Sequence, residues 1–237
     1  MQIFLGFIIE DIFTNIGVGP PRSQPASLFI YIFSQNLGLA SLFIIIYKND
    51  DAGWDLGGPT PVFVNISSII KPKKICIIGC GKGYDAVMFA KNNFKVTAVD
   101  FAPSAVNSLK SLAKKNKVTI NVLEKDIFSL PTRYNNNFDY VIEQTCFCAI
   151  HPNKRTKYEK LVFRMLKTNG KLIGLWFPLD KDINDGGPPY GTTVEEVKSL
   201  FKDGWMLESE EFPKESIKSR KAREKLIIFK KLENSAS

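Results

Sequence analysis

Chemistry in this chain has to come from a short set of side chains. There are four cysteines, Cys76, Cys80, Cys146 and Cys148, and one histidine, His151. Cys146-Phe147-Cys148 is C-x-C rather than C-x-x-C, and His151 does not complete a zinc-finger spacing. No metal site is expected, and free thiols in a reducing compartment are. No His/Asp or Cys/His pattern offers a nucleophile with its base. Glu143 reads equally as a weak base and as a strand-end carboxylate satisfied by backbone N–H groups. The informative stretch is Gly79-Cys80-Gly81-Lys82-Gly83-Tyr84-Asp85, with acids beyond it at Asp100 and Asp126. Alternate glycines let backbone approach a ligand, and an acid at the next strand end can accept from ribose hydroxyls.

A dinucleotide fingerprint is G-x-G-x-x-G, but Tyr84 occupies the place of its third glycine. The G-x-G-x-G form suits a ligand without phosphate, whose ribose and amino-acid parts lie against backbone. S-Adenosylmethionine has that shape. Gly79 and Gly81 then line it, and Asp100 takes the ribose hydroxyls. Asp126 accepts from the adenine amino group, and the Ile127 N–H donates to a ring nitrogen.

These residues need strands that end side by side. Lys73–Ile78, Lys95–Val99, Thr119–Leu123, Phe138–Ile142 and Lys171–Phe177 have strand character. Helical spacing covers Pro61–Ile70, Tyr84–Asn92, Pro103–Lys115, Arg155–Leu166 and Val194–Phe201, the last with Thr193 as its cap. Trp205–Ser209 and Lys225–Phe229 close the series. Short apolar strands alternating with helices imply an α/β fold: a doubly wound, Rossmann-like sheet, mostly parallel with an antiparallel C-terminal strand.

The 237 residues carry a net charge of +8. Lys110, Lys114, Lys115 and Lys117 form the densest cluster and read as a solvated helix face, so no nucleic-acid partner is expected. Residues 1–47 differ in composition, and Ala26–Tyr47 carries no charge. That run is long enough to span a bilayer, but it lacks a basic start and a cleavage site. A membrane anchor, a poorly packed extension and upstream sequence outside the working protein all remain open for it. The division expected is an apolar extension at 1–42 and a catalytic domain at 43–237. The expected protein is a cytoplasmic monomer, with membrane attachment through residues 1–42 left open.

Beyond the glycine turn, Gly53-Trp54-Asp55-Leu56-Gly57 with Thr60-Pro61, Phe138-Asp139-Tyr140, Phe147-Cys148-Ala149-Ile150-His151-Pro152, Gly186-Gly187-Pro188-Pro189-Tyr190, and Arg220-Lys221 with Glu224-Lys225-Leu226 form a set. On these blocks the chain resembles the class I S-adenosylmethionine-dependent methyltransferases. Within them it is similar to the thiopurine S-methyltransferase family, and most to its thiol and halide methyltransferase branch. The resemblance implies S-adenosylmethionine as cofactor and a small thiol, hydrosulfide, thiopurine-like compound or halide as acceptor. It implies an aromatic cover over the cofactor from Phe43, Tyr47 and Trp54. The first two stand where the family has tryptophan. It places a further cofactor contact at Gln144, where relatives carry Tyr or Arg. Aromatic faces suit a sulfonium, whose positive charge is drawn to the ring quadrupole.

The implied chemistry is an in-line methyl transfer to a nucleophile that is already partly ionised, so proximity and exclusion of water suffice. Tyr190, after the Gly-Gly-Pro-Pro wall, is the candidate catalytic residue on the acceptor side. An O- or N-methyltransferase of the same fold is one alternative. A membrane-tethered binding protein with a vestigial fold is another.

Overall fold

The computed structural model describes residues 55–233. The expected aromatic cover at Phe43, Tyr47 and Trp54, the domain boundary at 42/43 and the apolar run all lie outside those residues. Among the described residues, no helix is long and apolar enough to cross a membrane.

Seven strands form one sheet: β1 (Lys74–Ile78), β2 (Lys95–Asp100), β3 (Asn121–Glu124), β4 (Phe138–Gln144), β5 (Leu166–Trp176), β6 (Trp205–Glu211) and β7 (Lys225–Lys231). Their order is β3-β2-β1-β4-β5-β7-β6. The first five are parallel, and β7 runs antiparallel to both β5 and β6. The helices are α1 (Pro61–Ile69), α2 (Tyr84–Lys91), α3 (Pro103–Lys115), α4 (Arg155–Met165) and α5 (Val194–Leu200). This is the doubly wound arrangement that the strand and helix spacing implies.

Both faces of the sheet are covered, which explains why the strands read as continuous apolar runs. Along β1 the side chains alternate: Cys76 and Ile78 enter one core with α4 and α5, Ile75 and Ile77 the other with α1 and α2. The first core holds a group of stacked and edge-on rings. Trp176 lies 5.0 Å from Phe147 and 5.3 Å from Phe201, and Phe201 stacks on Phe229 at 4.9 Å. Such pairs add to area burial through the ring quadrupoles.

Two boundaries depart from the sequence reading. Helix α4 ends at Met165, and β5 begins at once at Leu166. The pairing then shifts, from Phe138 opposite Leu166 to Tyr140 opposite Lys171, so Asn169-Gly170 lies in an irregularity within the strand rather than after a helix. The helix end is satisfied from a distance. Lys231, at the end of β7, donates to the carbonyls of Phe163 and Leu166, each at 2.8 Å, and to Asn136 Oδ1 at 3.1 Å. A buried ammonium is tolerable only with such acceptors, and the last carbonyls of a helix need donors. Short 3-10 turns at 127–129, 132–134, 147–149 and 152–154 were also absent from the sequence reading. Helix α5 follows expectation: the Thr193 hydroxyl accepts from the Glu196 N–H while the Glu196 carboxylate accepts from the Thr193 N–H.

Replacing Lys231 by Met keeps the aliphatic stem and removes the three donated bonds. The expected cost is about 1–3 kcal/mol for carbonyls left unmet in the interior, read as a lower urea midpoint at unchanged slope.

Candidate active site

The strand register fixes the site. Ile78 pairs with Val99 on one side and with Glu143 on the other, and Asp100 pairs with Glu124. Gly79, Asp100, Asp126 and Gln144 therefore leave the sheet at one carboxyl edge. The strand order reverses between β1 and β4, and open α/β sheets bind ligands in the crevice at such a switch.

The glycine turn is shaped by hydrogen bonds to β2. Cys80 N–H donates to the Val99 carbonyl at 3.0 Å. Gly81 N–H donates to Asp100 Oδ2 at 2.8 Å, and Ala102 N–H to Oδ1 at 2.9 Å. Gly79 sits at φ +60, and a Cβ there would stand 2.9 Å from Cys146 Cβ. The backbone approaches Cys146 too closely for any side chain. Asp100 is 5% exposed; burial raises its pKa, and N–H groups of Ala102, Gly81 and Phe101 pull it back. A carboxylate has about four acceptor sites, so these three donors leave capacity for a ligand hydroxyl. Asp126 is exposed, and its Oδ1 accepts from the Phe128 N–H at 2.9 Å, which caps a 3-10 turn. Ile127 is buried beside it.

Glu143 resolves toward the structural alternative. It is 1% exposed. Oε1 accepts from the N–H groups of Cys146 (3.0 Å) and Phe147 (2.8 Å), and Oε2 from the Tyr158 hydroxyl (2.6 Å). It fixes the chain beyond β4. Burial still lifts its pKa to about 7 against those three bonds. Cys146 and Cys148 are pressed into this wall. Burial pushes the Cys148 thiol up to about 12 and Cys146 well above its usual value, so neither supplies a thiolate.

Tyr190, the candidate on the acceptor side, packs against the chain beyond β4. Its N–H donates to the Cys148 carbonyl at 2.7 Å, and its ring meets His151 edge-on at 5.3 Å. His151 Nδ1 accepts from the Asn153 N–H. The loop carrying Tyr190 is held at its base, with Lys181 donating to the Pro189 carbonyl and Arg155 to the Gly191 carbonyl.

Residues quoted above only as sequence blocks also take places here. Lys82 pairs with Asp55 at 2.8 Å, tying the segment after Trp54 to the glycine turn. Thr60 bridges Asp85 and Gln144. Arg220 is 6% exposed, lies over the Phe177 ring at 5.3 Å and pairs with Glu224 at 3.9 Å. It acts electrostatically on both Asp85 and Cys148. Pairwise spacing gives no cue to these contacts, because Thr60 and Gln144 are 84 positions apart.

The sequence matches the thiopurine S-methyltransferase family across residues 45–236. The chain belongs to that family. It is accordingly a methyltransferase that uses S-adenosylmethionine. Among relatives of this family, a probable thiol methyltransferase 2 of Arabidopsis thaliana is 33% identical over 192 residues, covering 78% of this chain and 83% of that protein. A thiocyanate methyltransferase 1 of Brassica oleracea is 33% identical over 183 residues, 76% and 80% of the two chains. A thiopurine S-methyltransferase of Francisella tularensis subsp. novicida is 27% identical, covering 65% and 76%. The fold is shared with the 1,6-didemethyltoxoflavin-N1-methyltransferase of Burkholderia thailandensis, solved with bound S-adenosylhomocysteine, at TM-score 0.68 and 17% identity over 91% and 94% of the chains. The family's cofactor fits the residues present: a turn of alternate glycines lies at the carboxyl edge of the sheet, with a buried acid of spare acceptor capacity beside it.

Glu143→Gln tests the structural reading. Its carbonyl keeps both backbone donors, and its amide can donate to the Tyr158 oxygen. Glu143 has a raised folded pKa, so folding takes up a proton between about pH 4.5 and 7. Wild-type stability therefore falls as pH rises through that window, by an amount on the order of 3 kcal/mol. Urea titrations at several pH values should show this fall in the wild type and a smaller one in the variant, where Asp85 and Asp100 still contribute.

Proposed function

We propose that this chain transfers the methyl group of S-adenosylmethionine to a small sulfur nucleophile, a thiol or hydrosulfide, and takes halide as a further acceptor. The observation that carries it is the buried guanidinium of Arg220 at the exit of β5, within electrostatic reach of Cys148 and Asp85. A positive group in a desolvated wall favours an anion beside it, and thiolate, hydrosulfide and halide are anions that need no strong base. The names of the plant relatives, a thiol and a thiocyanate methyltransferase, support the same class.

The residues divide by role. Gly79, Gly81, Asp100, Asp126, Ile127 and Gln144 hold the cofactor, with Phe43, Tyr47 and Trp54 closing over it from the catalytic domain that starts at Phe43. When bound, S-adenosylmethionine supplies a methyl on a positively charged sulfur. Arg220 draws the acceptor anion in and raises its local concentration. Tyr190 offers a hydroxyl that orients the acceptor, and its loop excludes water. A thiol acceptor loses its proton to solvent as the new carbon–sulfur bond forms, and the electron pair of the broken bond stays with the departing sulfur. Glu143 takes no part, because it is buried and its oxygens tie Cys146, Phe147 and Tyr158 into the wall beyond β4.

Two measurements test this. Calorimetry on the full chain should show saturable S-adenosylmethionine binding, and a panel of hydrosulfide, small thiols, iodide and a thiopurine should yield methylated sulfur products. Arg220→Met should lower kcat/KM for hydrosulfide by about tenfold or more while affinity for S-adenosylhomocysteine stays within about twofold. Equal loss for neutral and anionic acceptors would remove the anion role.

A further inference from the structure

Thr60 Oγ1 lies 2.9 Å from Asp85 Oδ2 and 2.8 Å from Gln144 Oε1, while the Thr60 N–H donates to Asp85 Oδ1 at 2.7 Å. A hydroxyl has one proton to give. It cannot serve two acceptor oxygens at once. Two arrangements satisfy the count. In the first, Asp85 is ionised and takes the Thr60 proton. The Gln144 amide is then turned so that its NH2 donates to the Thr60 oxygen, and its carbonyl faces the crevice. In the second, Asp85 carries a proton and donates it to Thr60, Thr60 donates to the Gln144 carbonyl, and the amide NH2 faces the crevice. The two ends of an amide exchange by a half turn. One carboxylate therefore decides the polarity that Gln144 shows outward.

Gln144 ends β4, the strand beside the glycine turn, on the side toward β5 and Arg220. On the proposed division of the site, the cofactor residues and the acceptor residues come closest there, and a bound sulfonium would lie near that position. We propose that Asp85, acting through Thr60, sets the Gln144 amide so that its carbonyl oxygen, not its NH2, is offered to the sulfonium of S-adenosylmethionine. The proposal rests on the reading of Gln144 as a cofactor contact. A carbonyl oxygen attracts a cation, and an amide NH2 repels it. Asp85 is thus a positioning residue.

Burial raises the pKa of Asp85 to about 6, opposed by the two bonds from Thr60 and by the charge of Arg220. Arg220 comes from the segment before β7 and is paired with Glu224. Lys82, in the turn before Asp85, is committed to Asp55. Above about pH 6 the ionised form prevails and the carbonyl faces out. As pH falls through that value the amide turns, and affinity for the sulfonium falls with it. Asp100 and Glu143 also titrate at this edge, so the effect must be read as a difference between variants that leave both intact.

The experiment measures dissociation constants of S-adenosylmethionine and S-adenosylhomocysteine from pH 5 to 8. It uses the full chain and the variants Asp85→Asn, Thr60→Val, Thr60→Ser and Gln144→Ala, with thermal melts to check folding. S-Adenosylhomocysteine lacks the sulfonium charge and serves as the internal control. In the wild type, preference for S-adenosylmethionine should drop by about tenfold from pH 7.5 to 5. Asp85→Asn reproduces the second arrangement with every donor matched, so its preference should be low and flat with pH. Thr60→Val should also flatten the profile, and Thr60→Ser should restore it. If Asp85→Asn fails to fold, the Val and Ser variants decide. A wild-type pH profile in Asp85→Asn or Thr60→Val, or parallel shifts for both ligands, would overturn the relay while leaving the Gln144 contact standing. Unchanged S-adenosylmethionine affinity in Gln144→Ala would overturn the contact and the proposal together.

Discussion

Burying a carboxylate at a strand end is unfavourable unless donors meet it, and at Asp100 the donors are the glycine turn and the start of the next helix segment. Gly81 N–H and Ala102 N–H bind the two oxygens of one side chain. The exit of β1 and the exit of β2 are thereby locked at a fixed separation. Everything the crevice holds depends on that lock, because the ligand-facing backbone is only useful if it is held in one shape. On the proposed reading, the same acid serves as scaffold and as ligand contact. Its spare acceptor capacity is what permits both.

Two further carboxylates repeat the device. Glu143 gathers the chain leaving β4, and Asp85 gathers the chain entering α1 through Thr60. In each case burial pushes the pKa upward while local hydrogen bonds pull it down. The outcomes differ because the outer partners differ. Glu143 is closed off by the Tyr158 hydroxyl, a group with its own aromatic packing against Phe147 at 5.4 Å. Asp85 connects onward through a hydroxyl to an amide at the crevice. A sealed acid becomes structure, and a connected one can influence a ligand.

Most of the fold was legible because its signals are local. Ile75–Ile78 running into alternate glycines announces a strand, a turn and a helix, and Pro103 and Thr193 mark helix starts by their own chemistry. The placement of candidate residues was legible where a single strand end carries them, as at Gly79 and Asp100. It was not legible where partners meet across the sheet. Nothing adjacent to Thr60 points to Gln144, and nothing near Glu143 points to Tyr158. The early start of β5 escaped for the same reason: Asn169-Gly170 is a good local break, but Leu166 already pairs with Phe138 across the sheet.

That last contact bears on how the chain is made. The terminal turn of α4 waits for an ammonium 65 positions further on. During synthesis that donor emerges long after the helix itself. Until then the helix end must rely on water, and the wall behind the crevice cannot set. The β5–β7 pairing that delivers Lys231 brings in the last of the seven strands in chain order. Helix end and last-strand pairing are therefore coupled, and the wall behind the crevice is complete only when nearly the whole domain is available to fold.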